Sequence, residues 1–239
     1  MRNEYKFILK SSNQNFFISV YLFFRYLIYI KFLNKKIKRS NKQSLYQDLI
    51  KDKLKIDQDW FSHNINNLDY FFKKKNLYNQ EINALEIGSY EGNSSFFFLK
   101  YFSNLNLTCV DTFGGSDELK NFDFKNVYEN FKFNTKDFEK RITVHKLTSN
   151  EFFKNYKNNI DFDLIYIDGS HYSKDVYNDA INSLKVLKKN GYIIFDDFLW
   201  NYYKDVNDNP IGGIKSFLIK NFFKIKILSV SYQIIVQKL

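Results

Sequence analysis

The chain has 239 residues, of which 44% are hydrophobic and 20% aromatic, and a net charge of +10. That length suits one α/β domain with an accessory segment, and the apolar fraction excludes a chain kept disordered for want of a core. One cysteine, Cys109, excludes a disulfide framework and favours a reducing compartment, hence a cytoplasmic location.

The charge is unevenly spread. Residues 1–80 carry 16 Lys plus Arg against 6 Asp plus Glu, whereas residues 81–239 carry 20 of each. A neutral C-terminal region argues against a nucleic-acid substrate, whose phosphates would need a basic face there. The first basic stretch is also the greasiest. Residues 16–33 are apolar except for Ser19, Arg25 and Lys31, and Lys35, Lys36, Lys38 and Arg39 follow. They read as a helix barely long enough to span a bilayer, and a central arginine costs about 2.5–3.5 kcal/mol on insertion. The lack of a small-residue cleavage site makes it a poor secretory signal. Two readings stay open: a helix packed on the domain or on a partner subunit, and a membrane-surface anchor over residues 16–39 with its basic residues on lipid phosphates. Residues 1–43 are therefore set apart as a basic, aromatic segment, and 44–239 as the main domain with a helical cap at its start.

Within that cap, Asp59-Trp60-Phe61-Ser62-His63-Asn64 precedes an amphipathic run over 65–72 that ends in Lys73, Lys74 and Lys75. Helices are expected. Trp60 and His63 are either ordinary core and surface residues or, if the cap covers a site, substrate contacts.

Residues 82–87 have the character of a buried parallel strand. Gly88 and Gly92 bracket a tight turn carrying Ser89 and Tyr90, where larger side chains would keep a ligand from the backbone. Asn93 or Ser94 can cap the aromatic helix that follows. A second strand over 105–110 ends on Asp111, where a doubly wound sheet opens its ligand crevice and an acid can accept both hydroxyls of a ribose. A dinucleotide fingerprint has three glycines, G-x-G-x-x-G, and seats a pyrophosphate on the helix N-terminus. Here there are two, and Glu86 just ahead of them would repel a pyrophosphate and suit a cationic ligand. An NAD(P)-dependent oxidoreductase is therefore the weaker alternative. The pattern resembles the first motif of class I S-adenosylmethionine-dependent methyltransferases, whose cofactor carries an amine and a sulfonium.

Beyond Asp111, Thr112 begins a flexible loop through Gly114, Gly115 and Asp117, beside the expected adenosine, and a helix is expected over 121–133. After a third strand over 142–145, Ser149 is placed to cap the next helix and to meet the adenine edge.

Residues 161–189 read as strand, loop and helix, the helix stopping at Asn190-Gly191. Asp168 falls at the strand's carboxyl end, and Gly169 gives a turn that can aim His171 into the crevice. A fifth strand over 192–195 ends in Asp196-Asp197. Three carboxylates from two adjacent strand ends are costly unless a cation or proton sits among them, which suits a hard divalent ion such as magnesium. Such an ion acidifies a bound hydroxyl, and His171 has the pKa of a general base. Each residue also has a plainer reading: Asp168 as a helix cap, Asp196 and Asp197 as a solvated loop, His171 as a partner of a carboxylate.

Ile-Asp-Gly-Ser-His, the helix rich in acids and aromatics, and Gly-Tyr-Ile-Ile-Phe-Asp-Asp resemble the small methyltransferase family labelled type 24. That family is similar to metal-dependent macrolide-sugar and catechol O-methyltransferases, and the likeness runs over about residues 60–239. It implies a Rossmann-like class I α/β fold, a seven-stranded, mostly parallel sheet with helices on both faces and a C-terminal antiparallel hairpin. It implies S-adenosyl-L-methionine and Mg2+ as cofactors, with Asp168, Asp196 and Asp197 on the metal and His171 and Asp168 in catalysis. Glu86, Gly88, Ser89, Tyr90, Gly92, Asn93, Ser94, Asp111, Thr112, Ser149 and Asp168 fall on cofactor positions. Catechol enzymes have Asp-Asn where this chain has Asp196-Asp197, and a lysine where His171 stands; the sugar-modifying relatives carry a similar histidine.

Residues 201–209 form a polar, tyrosine-bearing insert suited to one wall of a substrate pocket. Pro210, the only proline, starts a helix expected to reach residue 223, and strands over 225–228 and 232–236 make the terminal hairpin. The resulting expectation is a metal-assisted O-methyltransferase acting on a small hydroxylated molecule, its sugar or glycan character resting on the resemblance. A nucleic-acid acceptor is disfavoured because Ile-Asp-Gly-Ser-His replaces the Asn-Pro-Pro-Tyr type that grips a base amine. The non-enzyme alternative is a membrane-recruited binding module.

Overall fold

The computed structural model describes residues 2–10, 16–116, 120, 122–156 and 162–239. Seven strands form one sheet in the order β3-β2-β1-β4-β5-β7-β6. Strands β1 (Ile82–Ile87), β2 (Leu105–Val110), β3 (Ile142–His145), β4 (Phe162–Ile167) and β5 (Leu187–Phe195) are parallel. β7 (Ile234–Lys238) returns antiparallel to both β5 and β6 (Ile225–Val230), giving the expected terminal hairpin. Chain order reverses between β1 and β4, so a crevice opens at their carboxyl ends.

The two-residue period of the strands divides the core. Leu85, Ile87, Ile165, Ile167, Ile193 and Phe195 point to one face, beneath α1 (Arg2–Lys10), α2 (Phe16–Ile28), α8 (Ser149–Asn155), α9 (Ser173–Val186) and α10 (Pro210–Lys220). Ala84, Leu107, Leu164, Tyr166 and Ile194 point to the other, beneath α4 (Lys42–Lys51), α5 (Ile65–Lys74), α6 (Asn93–Tyr101) and α7 (Val127–Thr135). Burial on both faces makes the central strands β1 and β4 mostly apolar.

α2 continues through a π-helical turn (Tyr29–Leu33) into α3 (Asn34–Ile37) and lies along the edge strand β6. The Arg25 guanidinium donates to the carbonyls of Ile227 at 3.2 Å and Leu228 at 2.7 Å, satisfying acceptors that an edge strand leaves open. Lys215 of α10, 2% exposed, donates to the Ile8 carbonyl at 2.8 Å and to Ser19 Oγ at 2.7 Å, tying α1 and α2 to the domain. One side of the 16–33 helix is thus packed on the chain's own core.

Several boundaries differ from the sequence expectation. β5 begins at Leu187, because a register shift opposite Phe162 and Leu164 lets the strand run back through Lys188, Lys189 and Asn190, the last at φ 66°. The helix expected over 121–133 is the shorter α7; Asn121, like Asp117 and Asp161, lies outside the described residues. α10 stops at Lys220, and the hairpin strands run from 225 to 230 and from 234 to 238. Gly92, at φ 80°, takes the cap position of α6 in place of Asn93 or Ser94. Thr148 caps α8, bonded reciprocally with Glu151, so Ser149 is the first helical residue and not the cap.

Candidate active site

A cavity of 840 Å³ opens at the carboxyl ends of β1, β2, β4 and β5. Its floor is the turn after β1. Gly88 sits at φ +85°, and a Cβ there would stand 2.0 Å from the Asp168 carbonyl oxygen. The glycine is required by the close packing of two strand ends, beyond the ligand approach inferred from sequence. Asp111 holds the same turn: Oδ2 accepts from the amides of Ser89 at 2.6 Å and Tyr90 at 2.7 Å, and Oδ1 from that of Phe113 at 2.6 Å.

Gly88, Ser89, Tyr90, Asn93, Ser94, Asp111, Thr112, Ser149, Asp168, His171, Asp196 and Asp197 all line this cavity. Glu86 and Gly92 do not. Alternation along β1 turns Glu86 toward α6, fully buried, where its carboxylate accepts from Ser89 Oγ at 2.7 Å, from Ser95 Oγ, and from Cys109 Sγ at 3.3 Å. Burial raises its pKa. Glu86 thus braces the turn from beneath, and Gly92 is the helix cap.

The acids divide by environment. His171 Nε2 lies 2.7 Å from Asp197 Oδ2 and 3.7 Å from Asp168 Oδ1, and its ring stacks on Trp200 with centroids 4.6 Å apart. Ligand atoms of Asp168, His171 and Asp197 all fall within 4.8 Å of one another. Asp196 is engaged otherwise. Asn64 Nδ2 donates to its two oxygens at 3.1 and 2.9 Å, Gln233 Nε2 at 3.1 Å, the Asp197 amide at 2.9 Å, and the Tyr166 hydroxyl completes the set.

Burial, with the charge of Asp197, pushes the Asp196 carboxyl up to about 6. Burial and both neighbouring acids raise Asp168 well above the carboxylate range. Burial would raise Asp197 too, but the hydrogen bond and charge of His171, helped by the Tyr232 hydroxyl, hold it below its ordinary value. Asp197 occupies the left-handed region at φ 54°, a conformation costly for a non-glycine residue that a functional site can hold.

Trp60 and His63 both face the cavity, Trp60 packed on Tyr90 at 5.0 Å and His63 edge-on to Tyr232 at 5.3 Å. Tyr203, from the expected insert, and Trp200 form another wall. Sequence reasoning missed Tyr232, Trp200, the Asn64 and Gln233 clamp, and Asp179. The Asp179 side chain reaches the cavity from α9, is 3% exposed, and is hydrogen-bonded by the Ser149 hydroxyl. Burial, with the charge of Asp175 adding, pushes it up to about 7. The available signal was an acid on the buried stripe of Val176, Ala180 and Leu184.

Residues 85–198 match the family described as a methyltransferase domain. That match spans just under half of the chain, which over those residues is similar to a methyltransferase domain. No curated protein matches the chain by sequence. Solved structures match its fold. An O-methyltransferase of Bacillus cereus, in complex with S-adenosylhomocysteine, shares 14% identity at TM-score 0.57, covering 90% of this chain and 97% of its own. The O-methyltransferase TomG of Streptomyces achromogenes, involved in tomaymycin synthesis, shares 11% identity at TM-score 0.56, with 82% and 96% covered. The methyltransferase MycE of the mycinamycin pathway, bound to Mg, S-adenosylhomocysteine and mycinamycin VI, shares 18% identity at TM-score 0.56, with 84% of this chain and 55% of that one covered. The chain thus shares the fold of these methyltransferases, with its crevice at the strand reversal.

Proposed function

We propose that this methyltransferase moves the methyl group of S-adenosylmethionine to a hydroxyl oxygen of a small, sugar-like acceptor. The observation that carries the reading is the His171–Asp197 pair, 2.7 Å apart on the cavity wall beside the turn that follows β1. Proteins of this fold were solved with S-adenosylhomocysteine or S-adenosylmethionine, and MycE with Mg and mycinamycin VI, which supports the choice of donor and of a small-molecule acceptor.

Asp111 and Thr112 would hold the ribose of the donor, and Ser149 and Asp179 its adenine, all four lining the cavity. His171, held by Asp197 at 2.7 Å, takes the acceptor's hydroxyl proton on its imidazole. The oxygen lone pair then forms the new carbon–oxygen bond as the sulfonium–methyl bond breaks, giving a methyl ether and S-adenosylhomocysteine. Asp197 steadies the imidazolium. Two carboxylates and an imidazole, with Asp168 raised by burial and by the neighbouring acids, fit a divalent cation, and Asp168 and Asp197 would hold it. When bound, such an ion supplies positive charge that acidifies a hydroxyl. Asp196, its own oxygens engaged, supports this pair through the Asp197 amide. Trp60, Trp200 and Tyr203 give flat apolar walls against which a sugar ring stacks.

Transfer of tritiated methyl from S-adenosylmethionine into fractionated metabolite extracts tests this reading. Label should enter polar glycosides and fall when a chelator is added. Label confined to nucleic acid or protein would refute the acceptor class, and undiminished product in excess chelator would remove the ion.

A further inference from the structure

The outward side of α2 serves nothing described so far. Its inward side buries Ile18, Ser19, Leu22 and Tyr26, and Arg25 is engaged by the β6 carbonyls. Opposite these, Phe17, Tyr21, Phe24, Ile28 and Phe32 are 82, 42, 57, 52 and 71% exposed. Spacings of four, three, four and four residues keep them in one row, about 22 Å long at the helical rise. Soluble monomers seldom leave so continuous an apolar row in water. Lys31, Lys35, Lys38 and Arg39 follow on the same rod, all exposed, and no acid occurs between Glu4 and Asp48.

We propose that the outward face of α2 and α3 is a peripheral docking surface for an anionic lipid bilayer. The apolar row enters the acyl boundary while the basic end pairs with lipid phosphates. Charge selects this occupant. A second copy of the chain would bring an equally basic, acid-free segment toward the first, and a neutral partner would gain nothing from the cations. The helix lies flat and does not span, because spanning would pull Ile18, Leu22 and Tyr26 from the core and break the Arg25 and Lys215 contacts. The row and the cations are independent of the catalytic reading, so this surface stands or falls separately.

Flotation of the full chain with phosphatidylcholine vesicles, with and without phosphatidylglycerol, tests it. Binding should require the anionic lipid and weaken at high salt. The triple variant Phe17→Ser, Phe24→Ser, Phe32→Ser should lose about a hundredfold or more in vesicle affinity. The variant Lys31→Gln, Lys35→Gln, Lys38→Gln should lose about a hundredfold. All six side chains are exposed, so far-UV circular dichroism and cofactor binding should be unchanged in both. Absence of binding to anionic vesicles, or equal flotation of the phenylalanine variant, would overturn the proposal. So would a dimer, seen by light scattering, that dissociates in that variant while vesicles stay unbound.

Discussion

Replacing Asp179 by Asn should make the protein more stable near neutral pH while weakening its hold on the cofactor. Burial lifts this carboxyl from an ordinary 3.8 to about 7, so between those values the folded chain keeps a proton that the unfolded chain has released. Stability therefore falls as pH rises through that window and levels off above it. A shift of about three units at about 1.36 kcal/mol each bounds the cost at ~4 kcal/mol at pH 7.5, falling to ~1 kcal/mol near pH 4.5. The Ser149 hydroxyl still has an acceptor in the amide, so Asp179→Asn recovers most of that difference. For a chain of this size that is a rise in Tm of roughly 6–12 °C at pH 7.5 and roughly 2–4 °C at pH 4.5. Thermal unfolding followed by circular dichroism at both pH values reads it. Calorimetry should show about tenfold weaker binding of S-adenosylhomocysteine, since the adenine amine loses a charged acceptor. A Tm difference that does not change with pH, or a variant less stable than the parent at pH 7.5, would refute the reasoning.

Other substitutions separate chemistry from scaffold. His171→Gln should lower methyl transfer by about 10²–10⁴-fold and leave S-adenosylhomocysteine affinity within a few-fold, measured by single-turnover assay beside calorimetry. An equal loss of affinity would move His171 from proton transfer to binding. Gly88→Ala places a Cβ 2.0 Å from the Asp168 carbonyl at φ +85°, and strain with overpacking should cost about 3 kcal/mol in urea unfolding. Wild-type stability would show that the turn can move away from β4. Arg25→Met strips the β6 carbonyls of their donor and should cost about 2 kcal/mol, a drop in Tm of roughly 4–8 °C. An unchanged melt would mean that water satisfies that edge.

The sheet was legible because the central strands β1 and β4 are buried on both faces and so are mostly apolar and bounded by turn residues. The start of β5 was hidden by Lys188, Lys189 and Asn190, whose polarity reads as a loop although the backbone keeps pairing with β4. The acids of the site were found because they terminate strands, a local property. Their environments were not, since those depend on distant chain. Asn64 reaches Asp196 across 132 positions and Gln233 across 37, and these donors distinguish it from Asp197. The place of Glu86 next to Gly88 suggested the crevice, and strand alternation sends its side chain beneath the turn. Asp179 was hidden among the acids of α9, although its place on the stripe of Val176, Ala180 and Leu184 makes it a buried acid.

Calorimetric titration of the full chain with S-adenosylhomocysteine, and in parallel with NAD, tests the central claim most directly. The account predicts one saturable site for S-adenosylhomocysteine and no heat from NAD. Saturable binding of NAD with no response to S-adenosylhomocysteine would contradict it.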